Sequence, residues 1–531
     1  MRFGFGTALL CAVVMAWWGA CNCPGGECTT NGDCPPGNSC DSTGHCAPGT
    51  GDGGNDGGSD AGDGGNNPGN DAGCVNLKCR QVSCPAGSPT RLTGSVYDPS
   101  GQVALYNAIV YVPNGAVEQL PTGVTCDQCG SLVSGSPIAI TLTGPDGKFQ
   151  LDNVPVGPNV PLVIQIGKWR RQVLVPFNIQ SCTSQPVTDV NLLRLPRNQS
   201  EGDIPQMAIS TGNADRFECL LRKMGISYSE MTHPGGNGRI HFYRDNGLNN
   251  DAGFLGDTAL LGDAGTMARY DVVLLPCRGN ERFGNNPGTP SSTYTRNIIN
   301  YTSAGGRLFT THYGYVWMAY AQQPFPSTAN WTPDPSQTHN PPDPFTVTVN
   351  QSFPKGDAFA HWLWDAGAST TFGQLDVAET RHDVSGTDAG TTTWLAANNP
   401  TNGAGWSVQH LTFNTPWNPP PLPDGDAGVQ CGRVVFSDFH VTAGALIPSG
   451  RNGTFPHDCA SGPMTAQEKA LLFMLFDVSS CVQDDTTAPE PCRAAGALCG
   501  PGQGCCQGLV CADAAQNPCF EGSCTCQVII Q

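Results

Sequence analysis

His312, Asp438 and His440 are two imidazoles and a carboxylate, the residue types that bind a metal ion or shuttle a proton. Asp438 and His440 flank Phe439 at the end of the apolar run Gly432-Arg433-Val434-Val435-Phe436-Ser437. On a strand, two such residues point to one side. His312 follows a second run, Arg307-Leu308-Phe309-Thr310-Thr311. If both runs are strands of one sheet, the three side chains line a pocket at the strands' carboxyl ends, where open α/β sheets bind ligands. The ordinary outcome for Asp438 and His440 is a satisfied structural pair. Cys277 ends a third run, Tyr270-Asp271-Val272-Val273-Leu274-Leu275-Pro276, and is expected to be buried or disulfide-bonded. On that reading no thiol is available for His440 to activate, and neither a cofactor nor a metal is expected.

Aromatic side chains crowd the same region. Tyr313, Tyr315, Trp317 and Tyr320 follow His312 closely, Trp331 lies in a Pro-rich stretch, and Trp362 and Trp364 flank Leu363. Exposed aromatic faces beside polar groups suit the C–H faces of sugars and are also common at protein interfaces. The expected partner is therefore a polysaccharide or a surface protein. Core packing is the competing reading, because the aromatic content of 8% is ordinary.

Sulfur marks both ends of the chain. Cys28, Cys34, Cys40 and Cys46 are spaced by five residues with turn formers between them, and too few apolar residues accompany them to build a core. Cys492, Cys499, Cys505, Cys506, Cys511, Cys519, Cys524 and Cys526 form a second dense group. Disulfides are expected in both, and sequence leaves their pairing open. Cys126-x2-Cys129 lacks the βαβ setting of a redox motif and a second ligand pair for zinc, so structural disulfides are expected there too.

The elements that must position these residues follow from periodicity. Short alternating segments between about 88 and 196, separated by Asp-Gly and Pro turns, indicate an all-β sandwich. Thr93-Gly94-Ser95-Val96, Asn107-Ala108-Ile109-Val110 and Asp146-Gly147-Lys148-Phe149-Gln150-Leu151-Asp152-Asn153-Val154-Pro155-Val156-Gly157 resemble carboxypeptidase regulatory-like domains. That resemblance implies a carbohydrate-binding-like sandwich without peptidase chemistry. From about 203 to 481, strands and helices alternate: strand 204–210, helix 215–224, strand 226–231, strand 270–277, helix 296–303, strand 307–311, strand 432–440 and a closing helix 465–476 capped by Thr465 and Glu468. This pattern resembles the class I glutamine amidotransferase-like fold. Active members of that fold place a cysteine on a strand-to-helix elbow in Gly-x-Cys-x-Gly, assisted by a late-strand histidine. Here Thr310-Thr311-His312-Tyr313-Gly314 stands at that place and His440 matches the late histidine, so the resemblance implies an inactive domain.

The start of the chain reads as an export signal: Arg2, then the apolar run Phe3 to Trp18, then Gly19 and Ala20. Trp18-Gly19-Ala20-Cys21 resembles a bacterial lipobox, which implies a lipid on Cys21, although Trp18 replaces the usual leucine. Of 26 cysteines, removing Cys11 and Cys21 leaves 26 − 2 = 24, an even number able to pair fully. Residues 48–73 are almost wholly Gly, Asp, Asn, Ala and Ser and read as a flexible tether spanning roughly 25 to 30 Å. The net charge of −18 and the absence of a basic stripe exclude nucleic acid as a partner.

The expected architecture is multidomain: an all-β sandwich followed by an α/β domain with a mainly parallel sheet, flanked by small disulfide-rich modules. The expected parts are a signal peptide (1–20), a cysteine-rich module (21–47), the linker (48–73), the regulatory-like sandwich (74–200), the amidotransferase-like domain (201–482) and a cysteine-rich C-terminal module (483–531). As a whole the chain resembles secreted bacterial lipoproteins. The expected function is non-catalytic binding or adhesion at the cell surface or outer membrane, with membrane contact through the lipid only; the alternatives are a divergent hydrolase and a structural envelope component.

Overall fold

Val272–Leu275 carries four apolar side chains in succession, and all four are buried. A strand can bury both rows of side chains only when each face of its sheet is covered, which is the condition of parallel α/β sheets. The computed structural model places this strand inside a ten-stranded sheet. It describes residues 38–40, 46–48 and, apart from short gaps of which 442–455 is the longest, residues 74–527. The expected signal peptide, Cys21, Cys28, Cys34 and the linker lie outside the described residues. In the unit Met1–Ala72, Asn38–Cys40 pairs antiparallel with Cys46–Pro48, with Cys40 opposite Cys46.

Residues Gly73–Gln531 form the second unit. Its strands β1 (Arg91–Ser95), β2 (Ile109–Pro113), β3 (Pro137–Leu142), β4 (Lys148–Asp152), β5 (Pro161–Ile166), β6 (Trp169–Leu174) and β7 (Ser184–Pro186) make two sheets, ordered β4-β1-β7 and β3-β2-β5-β6. The alternation in β4 buries Phe149 and Leu151 and exposes Lys148, Gln150 and Asp152. Leu92, Val110, Leu151, Leu162 and Ile164 from both sheets share one apolar cluster. Tyr111 and Val163, on intervening positions, pack instead with Cys499, Cys506, Cys524 and Cys526. The C-terminal module thus covers the other face of the four-stranded sheet, which explains why β2 reads apolar at nearly every position.

The large sheet is built from β8 (Met207–Ser210), β9 (Met231–Thr232), β10 (Ile240–Tyr243), β11 (Val272–Leu275), β12 (Arg307–Thr311), β13 (Phe345–Val349), β14 (Gln374–Val377), β15 (Thr391–Asn399), β16 (Gly405–Thr415) and β17 (Gly432–Ser437), in the order β9-β10-β8-β11-β12-β17-β16-β15-β13-β14. Pairing is parallel from β9 to β17 and antiparallel beyond it. The expectation of a mainly parallel sheet is corrected to a mixed one. The antiparallel half escapes hydropathy because β16 buries polar side chains: Gln409 donates to Arg381 O at 2.7 Å, Thr412 accepts from Trp394 Nε1 at 2.8 Å, and Asn414 donates to Gln483 O at 2.9 Å.

Four helices of seven residues or more accompany the sheet among the described residues: α1 (Phe217–Lys223), α2 (Ser292–Ser303), α3 (Pro354–Asp365) and α4 (Ala466–Ser479). The capping box on α4 forms: Glu468 N donates to Thr465 Oγ1 at 3.2 Å and Thr465 N to Glu468 Oε2 at 2.8 Å. None of the described helices is long and apolar enough to cross a membrane.

Beside β17, Lys355 and Arg433 meet Asp477 and Asp485: Lys355 Nζ lies 3.0 and 3.3 Å from the two carboxylates and Arg433 Nη2 lies 2.8 Å from each. Two cations face two anions, which is what makes their burial tolerable. Burial opposes ionisation of Asp485, yet Arg433 and Lys355 outweigh it and bring its carboxyl down to about 2.

In the second unit nine disulfides join the described cysteines, Cys277 excepted. Cys126 and Cys129 pair not with each other but with Cys431 and Cys481, at sequence separations of 305 and 352. They staple the loop after β2 to the start of β17 and the end of α4. In the C-terminal module Cys492 pairs with Cys506, Cys499 with Cys511, Cys505 with Cys526 and Cys519 with Cys524. With Cys277 free, the even count becomes 24 − 1 = 23, and parity no longer argues for a lipid on Cys21.

Candidate functional site

The adjacent parallel strands β8, β11, β12 and β17 end on the same side of the sheet, and the chain just beyond them carries Asp215, Cys277, His312 and His440. Cys277 is fully buried, and His312 and His440 are more than nine-tenths buried. Cys277 Sγ lies 3.2 Å from His312 Nδ1 and accepts from Gly279 N at 3.2 Å. The two imidazole rings stand 4.0 Å apart between centroids. His440 Nδ1 bonds the Glu379 carboxylate, while His440 Nε2 is buried without a hydrogen-bond partner.

Backbone shape fixes this arrangement. His312 has φ +51°, the left-handed conformation that non-glycine residues adopt only when their surroundings hold them there. It forms the elbow between β12 and the helical turn His312–Tyr315. Gly314 makes the elbow fit, since a Cβ there would stand 1.8 Å from Thr310 Oγ1. Glu379, the partner of His440, also has positive φ, at +53°. Thr311 Oγ1 accepts from Cys277 N at 3.1 Å and donates to Asp215 Oδ2 at 2.5 Å, and Asp215 Oδ1 accepts from Val441 N at 2.8 Å. One carboxylate therefore ties the loops after β8, β11, β12 and β17 together.

The two histidines differ electrically. Burial, reinforced by His440 and Arg381, holds His312 well below the ordinary histidine range and keeps it neutral. Burial acts the same way on His440, but contact with Cys277 and Glu379 and the charge of Asp215 outweigh it and raise its pKa well above that range. Tyr313 packs edge-on against His312, with ring centroids 5.1 Å apart, and the Arg381 guanidinium lies 4.1 Å from the Tyr313 ring centre. These two side chains close the site on that side.

The expected trio is thereby revised. His312 and His440 meet, but Asp438 turns to another network, where its Oδ2 accepts from Asp383 N at 2.8 Å and Asp383 binds Arg381. Burial, with Asp383 close by, raises the Asp438 carboxyl well above the usual range. A thiol stands at His440 after all. Cys277 was legible as the end of a buried strand; its company was not, because that depends on which strands become neighbours. Nothing in the local sequence marks Glu379 or Asp215.

The aromatic residues divide differently from expectation. Tyr313, Tyr315, Trp317 and Trp362 are buried, and Tyr320 and Trp331 are partly so. They fill the core: Tyr315 and Tyr320 donate to Glu281, Gln337 donates to the Tyr313 hydroxyl at 2.7 Å, Trp331 packs against Phe436, and Trp362 Nε1 donates to Ala104 O at 2.7 Å. Trp364 is the exception, 50% exposed beside Phe372, which is 43% exposed. Their rings meet edge to face at 6.2 Å, and His361, one turn earlier on α3, meets Phe372 at 4.8 Å.

No protein-family model matches the chain. No curated protein matches it by sequence. Solved structures that align with it include a protein described as ThuA-like from Parabacteroides merdae, 11% identical, TM-score 0.28, covering 52% of this chain and 91% of that one. Another, described as ThuA-like from Bacteroides uniformis, is 9% identical with TM-score 0.25 and covers 44% and 80%. A cytoplasmic protein from Salmonella typhimurium is 11% identical with TM-score 0.25 and covers 45% and 89%. At these scores none assigns a family or an activity.

Proposed function

We propose that the chain is an exported bacterial surface protein, tethered through a lipid on Cys21, that works by binding an extracellular polysaccharide. The observation that carries this reading is the solvent-facing aromatic group Trp364, Phe372 and His361. Large apolar rings left half exposed at one place, with Asp357 on the same helix face, have the make-up of a sugar-stacking platform. The disulfide pairing of every described cysteine but one in the second unit fits an oxidising compartment. In this reading the two-sheet region is a carboxypeptidase regulatory-like sandwich and the large sheet an amidotransferase-like scaffold.

A glycan array and a polysaccharide pull-down with the mature chain test the proposal. The double substitution Trp364→Ala with Phe372→Ala is expected to weaken binding at least about tenfold, the loss of roughly 1.4 kcal/mol. Failure of the wild-type chain to bind any surface polymer sinks the reading. Cys21→Ser is expected to release the protein from the membrane fraction, and continued association would refute the anchor.

A second reading, a divergent hydrolase, is favoured by the contact of Cys277 Sγ with His312 Nδ1. The complete burial of Cys277 counts against it, because a nucleophile must meet its substrate.

A further inference from the structure

We propose that Cys277, His312 and His440 form a metal centre that takes a zinc-like or copper-like transition ion through one thiolate and two imidazoles. Cys277 Sγ and one ring nitrogen from each histidine all lie within 4.8 Å of one another. Around a tetrahedral ion with metal–sulfur bonds of about 2.3 Å and metal–nitrogen bonds of about 2.0 Å, such ligand atoms stand roughly 3 to 4 Å apart. Small ring rotations therefore suffice to close the set. This donor set selects the class of ion: thiolate and imidazole suit zinc, copper and cobalt, whereas magnesium and calcium take oxygen ligands.

Three further features point to a ligand. His440 Nδ1 is held by Glu379, which leaves Nε2 as the coordinating nitrogen, and that atom is buried near Cys277 without a well-formed hydrogen bond. A buried polar atom without one is costly, and an ion would satisfy it. The pairing of Glu379 with His440 is the carboxylate–histidine arrangement that orients metal-bound imidazoles. Finally, the ligands come from the ends of three adjacent parallel strands, so the sheet holds them in place before any ion arrives. Coordination of a divalent ion displaces two protons to solvent, one from the Cys277 thiol and one from Nε2 of His440, and leaves a net single positive charge on the ion and its thiolate, with Asp215 and Glu379 close by. With three protein ligands, a tetrahedral ion retains one open position.

This inference stands apart from the polysaccharide reading, since no residue is shared. The test is metal analysis of the full mature chain purified without chelator, followed by chelator stripping and titration with Co2+. Stoichiometric zinc or copper is expected, together with a thiolate-to-cobalt charge-transfer band that disappears in Cys277→Ser. Glu379→Gln is expected to keep the band and weaken metal affinity by about 10- to 100-fold. Near-ultraviolet circular dichroism checks that each variant is folded. Absence of uptake by the folded wild-type chain overturns the proposal, as does equal uptake by Cys277→Ser and His440→Gln. If Cys277→Ser does not fold, Glu379→Gln decides: unchanged affinity overturns the proposal.

Discussion

Arg433 stands at the start of β17 and His440 just past its end, and the two lie in buried polar clusters of opposite character. At the start, Lys355 and Arg433 face Asp477 and Asp485, and Thr412 and Asn414 take further guanidinium bonds at 3.1 and 2.9 Å. Charge and hydrogen bonds are complete there, and Cys431 staples the same end to Cys126. Beyond the other end, a thiol and two imidazoles crowd together, one nitrogen lacks a partner, and His312 and Glu379 hold strained backbone. The first cluster is built to be finished by the fold alone. The second is left unfinished by the fold, and it is there that the proposed ion would bind.

The largest test of that contrast is Arg433→Leu. Removing one cation strands buried carboxylates, and about 3 to 5 kcal/mol of stability is expected to go, read as a lowered denaturation midpoint, with Co2+ binding by the remaining folded protein unchanged. A loss below about 1 kcal/mol would mean that the charge cluster is not what holds this end.

Removing the staple by Cys126→Ala with Cys431→Ala is expected to cost about 2 to 5 kcal/mol, since it lifts a constraint on the unfolded chain that the remaining Cys129–Cys481 bridge only partly replaces. Thermal unfolding of the double variant measures it. An unchanged Tm would show the start of β17 to be secured by packing alone.

Acid sharpens the same comparison. The folded pKa of Asp485 is depressed below its ordinary value of 3.8 to about 2, so its contribution is fully present above about pH 4 and is lost as pH falls toward 2. On the order of 2 kcal/mol is at stake. Asp485→Asn should therefore unfold more easily than wild type at pH 5 and approach it near pH 2; a constant gap across that range would contradict the assignment.

The smallest effect on stability belongs to the open cluster. In the metal-free chain Cys277→Ala is expected to cost about 1 kcal/mol, because it deletes one small buried atom and two weak sulfur contacts. A loss as large as that of Arg433→Leu would erase the distinction between the two ends.

Much of the framework was legible because it rests on local signals. The all-apolar run of β11, the alternation of β4 and the Thr465–Glu468 capping box are each written in a few consecutive residues. The expected strand 226–231 shrank to Met231–Thr232, because Tyr228–Glu230 winds into a helical turn first. The polar antiparallel strands were illegible for the opposite reason: Gln409, Thr412 and Asn414 are buried because distant groups satisfy them, and hydropathy cannot register a partner.

The sequence by itself determined the apolar strands of the parallel half, the alternating strands of the two-sheet region, the sulfur-rich end and the two histidines at the strand ends. Only the tertiary structure decided that Cys277 stays unpaired beside them, that Asp438 turns away, and that Trp364 alone of the aromatic candidates stands half exposed. The physical reason is one of range. Strand and helix formation respond to neighbours a few residues off, whereas the Cys277 contact joins residues 35 apart and the His440 contact with Glu379 joins residues 61 apart. Those distances are closed by the order of strands in the sheet, which is set by the packing of the whole unit.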